Sequence, residues 1–169
     1  MKKVMIAVFA LCVASPVMAA VGIELGTNWY KVNYTDNVGD HLMGQGQNML
    51  VYWGLDNDLS VGAYTENDVM STNYGSSYSF ELMAIQIAKG IVKNVNFGLN
   101  LGTAYFDWIS GPLVVTDVFA SVVILSGASD KVSGTVKAVV AGRFAREVYN
   151  GSDYDFSGLN VGLAIGLGF

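Results

Sequence analysis

Apolar residues alternate with small or polar ones along most of the chain. In the segment 158–169, Leu159, Val161, Leu163, Ile165, Leu167 and Phe169 fall on one face of an extended strand, with Gly158, Asn160, Gly162, Ala164, Gly166 and Gly168 on the other. The same period of two sets Ile23, Leu25, Thr27 and Trp29 against Glu24, Gly26, Asn28 and Tyr30. It also sets Val95, Phe97, Leu99 and Leu101 against Asn96, Gly98, Asn100 and Gly102. Segments of this kind predict eight strands, over residues 21–34, 47–55, 59–66, 78–91, 95–106, 114–125, 131–147 and 156–169. The fourth and sixth are apolar on both faces, so their register is open and either has room for a bulge.

Short and long connections alternate between these strands. The short ones are Asp56 to Asp58, Val92 to Asn94 and Ser126 to Asp130; the longer ones, 35–46, 67–77, 107–113 and 148–155, are rich in Gly, Asn, Asp, Ser and Tyr. All short turns therefore lie at one end together with both termini. An even number of antiparallel strands with short turns at one end and longer loops at the other is the plan of a transmembrane β-barrel. The fold class expected is all-β: an eight-stranded antiparallel up-and-down barrel whose apolar row faces lipid and whose small and polar row faces inward. In so narrow a barrel, small residues on some strands make room for large ones on others. Tyr30, Tyr52, Tyr64 and Phe106 are the inward candidates; Trp29, Trp53, Tyr105, Phe144 and Phe169 are the outward girdle candidates.

Composition agrees with a lipid-facing wall. Only 14% of the residues are charged and 52% are hydrophobic, with a mean hydropathy of +0.41, which is apolar for a water-facing surface. Lys2 and Lys3, the apolar run Val4 to Val13 and the small-residue site Val17-Met18-Ala19 read as a secretory signal over residues 1–19, leaving 20–169 as one barrel domain. Cys12 lies within that signal and has no lipoprotein context. The formal net charge of -5 becomes more negative once the two lysines are removed, which argues against nucleic acid as a partner.

The terminal Phe169, with Leu167 and further apolar residues at alternate positions before it, resembles the last-strand assembly signal of the small eight-stranded bacterial outer-membrane barrels. Ala164 and Gly162 depart from that signal. The resemblance covers essentially the whole segment after residue 19. It implies a location in the bacterial outer membrane, lipid and lipopolysaccharide as surroundings, the barrel-assembly machinery as a partner during insertion, and a monomer.

Candidate chemistry is sparse. Glu24, Asp117, Lys137 and Arg143, with Gln86, point inward by parity and are expected to form a lumen salt-bridge network rather than an ion path. Lys31 and Arg146 follow the outward parity near the long-loop end, where they are candidates for contact with lipid A phosphates. Tyr74, Trp108, Tyr149 and Tyr154 give the loops aromatic tips for a surface contact. The single histidine, His41, falls in the first long loop beside Asp36 and Asp40, with Ser71, Ser76 and Ser77 in the next. A lipid-modifying enzyme needs a base in reach of a hydroxyl, but neither the adjacent Asp-Ser pair nor the His-x-Ser of the known outer-membrane acyl enzymes is present. No catalytic, cofactor or metal residues are assigned, since no cluster has ligand spacing and no Gly-rich loop opens a helix. The expected function is a non-catalytic envelope barrel that presents surface loops; a narrow pore and a lipid A-modifying enzyme are the alternatives.

Overall fold

The computed structural model describes residues 20–35, 41–55, 57–72, 74–107, 111–129, 132–147 and 156–169. They form eight strands: β1 (Ala20–Thr35), β2 (His41–Gly54), β3 (Leu59–Ser71), β4 (Ser77–Val92), β5 (Val95–Phe106), β6 (Leu113–Ala128), β7 (Ser133–Glu147) and β8 (Gly158–Gly168). Each strand pairs antiparallel with its chain neighbour, and β1 pairs with β8 to close the barrel. There is no helix among the described residues. The expected signal segment, residues 1–19, lies outside them.

The register fixes the geometry of the cylinder. Cross-strand partners run from Gly22 through Tyr52, Gly62, Gln86, Asn100, Asp117, Arg143 and Gly158, and return to β1 at Val32, ten residues above the start. Eight strands with this stagger tilt by about 35–45° and leave an interior that side chains can fill.

Parity sorts the two faces. The outward rows are exposed and apolar, with Leu25 at 60%, Ile85 at 51%, Phe144 at 60% and Ile165 at 65% accessible. Trp29, Tyr105, Phe144 and Phe169 are exposed on this face; Trp53 shares the outward register of Val21 and Val61 but is buried. Tyr30, Tyr52, Tyr64 and Phe106 occupy inward positions. The small inward residues have a steric cause. A Cβ on Gly22 would lie 2.2 Å from the Tyr52 ring, and one on Gly98 would lie 2.5 Å from the ring of Phe119, so each aromatic rests on the bare backbone of a neighbouring strand.

Strands β4 and β6 both carry register irregularities, between Gly90 and Val92 and between Val123 and Leu125. The strands differ most from expectation at the upper ends of β2 and β3. The expected loops 35–46 and 67–77 are much shorter, because β2 starts at His41 and β3 runs to Ser71. Leu42, Gly44, Gly46 and Asn48 continue the inward row of β2, while Glu66, Asp68 and Met70 continue that of β3. Their outward neighbours Gln45, Gln47 and Asn67 are exposed and polar, with the exposed apolar Met43 and Val69 beyond them, so these strands continue as sheet past a polar interruption of their outward faces.

The turns at the terminal end are tight. Asn57 and Asp58 in the β2–β3 turn and Asn94 in the β4–β5 turn have positive φ, a conformation that Asn and Asp tolerate better than other side chains.

Candidate functional site

The inward rows of all eight strands meet in one polar belt across the lumen. Arg143 on β7 is its hub. Its Nε donates to Asp117 Oδ1 at 2.8 Å and its Nη2 to Asp117 Oδ2 at 2.9 Å, the direct cross-strand partner on β6. On the other side its Nη1 and Nη2 reach Glu66 Oε1 and Oε2 at 2.5 and 2.9 Å, on the strand diametrically opposite. Such a two-sided fork is geometry that guanidinium supplies and an ammonium does not. From Asp117 the belt follows the register: Asn100 donates to Asp117 Oδ2 at 3.2 Å, and Gln86 donates to Asn100 Oδ1 at 2.9 Å. Glu66 also accepts from Tyr64 Oη at 2.5 Å and from Asn160 Nδ2 at 3.2 Å. Asn28 donates to Asp68 Oδ1 at 2.7 Å, and Asn48 to Asn28 Oδ1 at 3.4 Å. Burying this much charge is tolerable because nearly every polar atom finds a partner; among the described residues Asp68 Oδ2 is the buried side-chain atom that does not.

Above the belt, towards the longer loops, large apolar side chains fill the lumen. Tyr30, Phe80, Phe106 and Phe156 stack in tilted and edge-on contacts with centroids 5.1 to 6.3 Å apart, and Leu42, Met70 and Leu113 fill the space around them. The Tyr30 hydroxyl donates to the carbonyl of Phe156. The Arg143 guanidinium lies 4.6 Å from the Tyr30 ring centre and 5.3 Å from that of Phe80, so the cap also stacks on the hub.

Below the belt the lumen is open. A cavity of about 700 Å³ extends from Asn100, Asp117 and Asn160 down to the β2–β3 and β4–β5 turns. Here Lys137 donates to Glu24, 5.6 Å from the centre of the Tyr52 ring. The four expected lumen residues therefore form two separate clusters: Arg143 with Asp117 in the belt, and Lys137 with Glu24 nearer the mouth.

The remaining candidates are placed as follows. Lys31 and Arg146 are outward and exposed on β1 and β7, with β8 between those strands. Tyr74 is 71% exposed at the tip of the β3–β4 turn. That turn is held by Thr72, whose Oγ1 accepts from the backbone N–H groups of Tyr74 and Ser76, each at 3.3 Å. Trp108, Tyr149 and Tyr154 lie outside the described residues. Leu167 is outward and exposed, and Phe169 exchanges backbone hydrogen bonds with Val21, continuing the β1–β8 ladder past the end of β8. His41 is the first residue of β2 rather than a loop residue, because its strand pairs back to Thr35. Asp68, within the expected loop 67–77, is instead on β3 and faces the lumen. Among the described residues no group of His, Cys, Asp or Glu is placed to hold a metal ion.

Glu66, Asp68, Asn28, Asn100 and Asn160 are belt members that sequence reasoning did not single out. A signal was present for the two acids: Tyr64, Glu66, Asp68 and Met70 keep the inward parity of β3 without a break.

No family model and no curated protein matches the chain. Among solved structures it is similar to the crystal structure of Neisserial surface protein A, at 10% identity over 89% of this chain and 97% of that one, with a TM-score of 0.52. A structure from the de novo design of transmembrane β-barrels aligns at 12% identity over 92% of this chain and 96% of that one, with a TM-score of 0.33. The first similarity is one of fold alone.

Proposed function

We propose that this chain is a non-catalytic β-barrel of the bacterial outer membrane that supports envelope integrity and presents its loops at the cell surface. The observation that carries this reading is the filled upper lumen inside an apolar wall. Among the described residues the Arg143 belt and the aromatic cap above it fill the upper lumen with paired polar and large apolar side chains, while exposed Leu, Ile, Val and Phe side chains ring the outside. In the proposed orientation the short turns, Ala20 and Phe169 face the periplasm, and Tyr74, exposed between β3 and β4, stands at the surface. Lys31 and Arg146 then border β8 at the outer rim, where cations suit lipid A phosphates.

Planar-bilayer recording of the purified barrel tests the reading. The expected result is no unitary conductance; stable discrete openings altered by Arg143→Ala would replace it with a pore. Lipid A from cells with and without the protein is expected to give the same mass spectrum. An acyl chain gained or lost in a His41-dependent way would replace it with an enzyme.

A further inference from the structure

The two halves of the lumen are built on different principles. Above the belt, inward positions carry large apolar side chains and the interior is filled. Below it they carry Ala20, Gly54, Ala88, Gly90, Gly162 and Ala164, and a cavity of about 700 Å³ remains. A barrel whose interior had only to be filled would repeat the upper pattern, since each large apolar side chain buried contributes about 1.5–3 kcal/mol. The lower half forgoes that stabilisation and keeps a space within the usual range of small-molecule sites, about 300–1,000 Å³.

Its lining specifies a kind of ligand. The charged side chains deep in the cavity are already engaged, Lys137 with Glu24 and Asp117 with Arg143, while Asp58 and Lys93, of opposite sign, stand near the mouth. Among the lining residues, no deep charge is left over to hold an ion. Asn48, Gln86 and Asn96 line the wall with amides; each gives one N–H to a neighbouring side chain and has a second N–H and a carbonyl oxygen, a donor and an acceptor that complement a hydroxyl. Tyr52 on β2 and Phe119 on β6 project from strands four apart, on opposite sides of the cylinder. Each ring is pressed against a glycine of the adjacent strand, Gly22 or Gly98, which turns it along the wall. Paired hydroxyl-binding amides and aromatic surfaces match the hydroxyl edges and C–H faces of a pyranose ring.

We infer that the cavity below the belt is a binding site for a neutral sugar of one or two rings, entering from the end of the barrel that holds Ala20 and Phe169. The site has the belt as its roof, so a ligand enters and leaves by the same mouth. In the proposed orientation that mouth faces the periplasm, but the pocket itself does not depend on that orientation.

The test is titration of the folded barrel with maltose and with N,N′-diacetylchitobiose in a phosphocholine detergent, which carries no sugar headgroup to compete. Side-chain amide resonances of Asn48, Gln86 and Asn100 report on the cavity, and heat-shifted gel migration reports on folding. Saturable shifts confined to cavity residues are expected at millimolar sugar. Ala164→Phe, which fills the space, should abolish them, and Tyr52→Ala, which removes one aromatic face without filling anything, should weaken binding about tenfold. If Ala164→Phe does not fold, Tyr52→Ala and Phe119→Ala serve together. Absence of saturable shifts with both sugars up to concentrations on the order of tens of millimolar would overturn the inference, leaving a cavity filled with water only. Shifts of equal size in the folded Ala164→Phe variant, or in both aromatic variants, would overturn it as surface binding.

Discussion

Arg143 and Glu66 lie on strands four apart and meet across the full width of the lumen through two hydrogen bonds, at 2.5 and 2.9 Å. Both side chains are fully buried, and Asp117 holds the other edge of the guanidinium. The pair thus acts as a strut between opposite walls, and its removal should act on the whole barrel rather than on one hairpin. Arg143→Ala leaves Glu66 and Asp117 uncompensated and is expected to destabilise the fold by about 3–5 kcal/mol. Urea unfolding in lipid vesicles, followed by tryptophan fluorescence, measures the change. The triple variant Arg143→Met, Glu66→Gln, Asp117→Asn removes the charges together and should recover most of the loss. A triple variant as unstable as Arg143→Ala would show that packing, not charge, is the cause.

Asp68 behaves differently from its neighbours in the belt. Its Oδ1 accepts from Asn28, but its Oδ2 is buried without a hydrogen-bond partner, two residues along the strand from Glu66. Asp68→Asn keeps the shape and removes one of the acidic groups gathered around a single guanidinium. It is expected to stabilise the barrel by about 1–2 kcal/mol, seen as a higher urea midpoint with unchanged slope. A lower midpoint would mean that Asp68 is held by an interaction that needs its second oxygen.

The belt also shows what a linear pattern conveys and what it does not. Parity assigns Glu24, Asp117, Lys137 and Arg143 to the inside because a strand has only two faces, and the alternation of turns and loops gives the strand number and closure. Parity says nothing of height, so the division of those four residues into two clusters came from the register. The expected loops 35–46 and 67–77 take in the upper parts of β2 and β3 for a related reason. "GQGQN" and "TEND" have the composition of turns, yet in a barrel polar residues belong inside at any height and outside beyond the apolar band. The pairings Gly46 with Asp68 and Gln47 with Asn67 carry the sheet through this stretch, polar on both faces at those positions. Glu66, the partner of Arg143, closes the expected third strand, where its parity is legible but its pairing across the lumen is not.

Glycines that look alike in sequence have different roles. A Cβ at Gly22 meets the Tyr52 ring at 2.2 Å, whereas one at Gly142 meets nothing within 4 Å. Gly22→Ala should therefore destabilise by about 1–3 kcal/mol, while Gly142→Ala on the outward face should be neutral or slightly stabilising. Combining Gly22→Ala with Tyr52→Ala is expected to remove most of the penalty, because the crowding is with that ring. A double-mutant cycle by urea unfolding reads the coupling; additive effects would mean that the ring moves aside at no cost.

Lipid contact has its own signature on β8. Leu163 lies within the outward apolar row, paired with Thr27 on β1 and Ala138 on β7, and is half exposed. If that row faces hydrocarbon, Leu163→Arg places a cation far from either rim and should cost about 2–4 kcal/mol, while Tyr105→Arg, near the loop end of β5, should cost about 0–1 kcal/mol. The difference depends on depth rather than on burial in the protein, since both positions are similarly accessible, at 47% and 48%. Measuring both variants in vesicles and again in detergent micelles separates the two causes. The gap should be wide in the bilayer and narrow in micelles, where a cation reaches water more readily. Equal costs in vesicles would mean that the apolar wall around Leu163 is not in the hydrocarbon core.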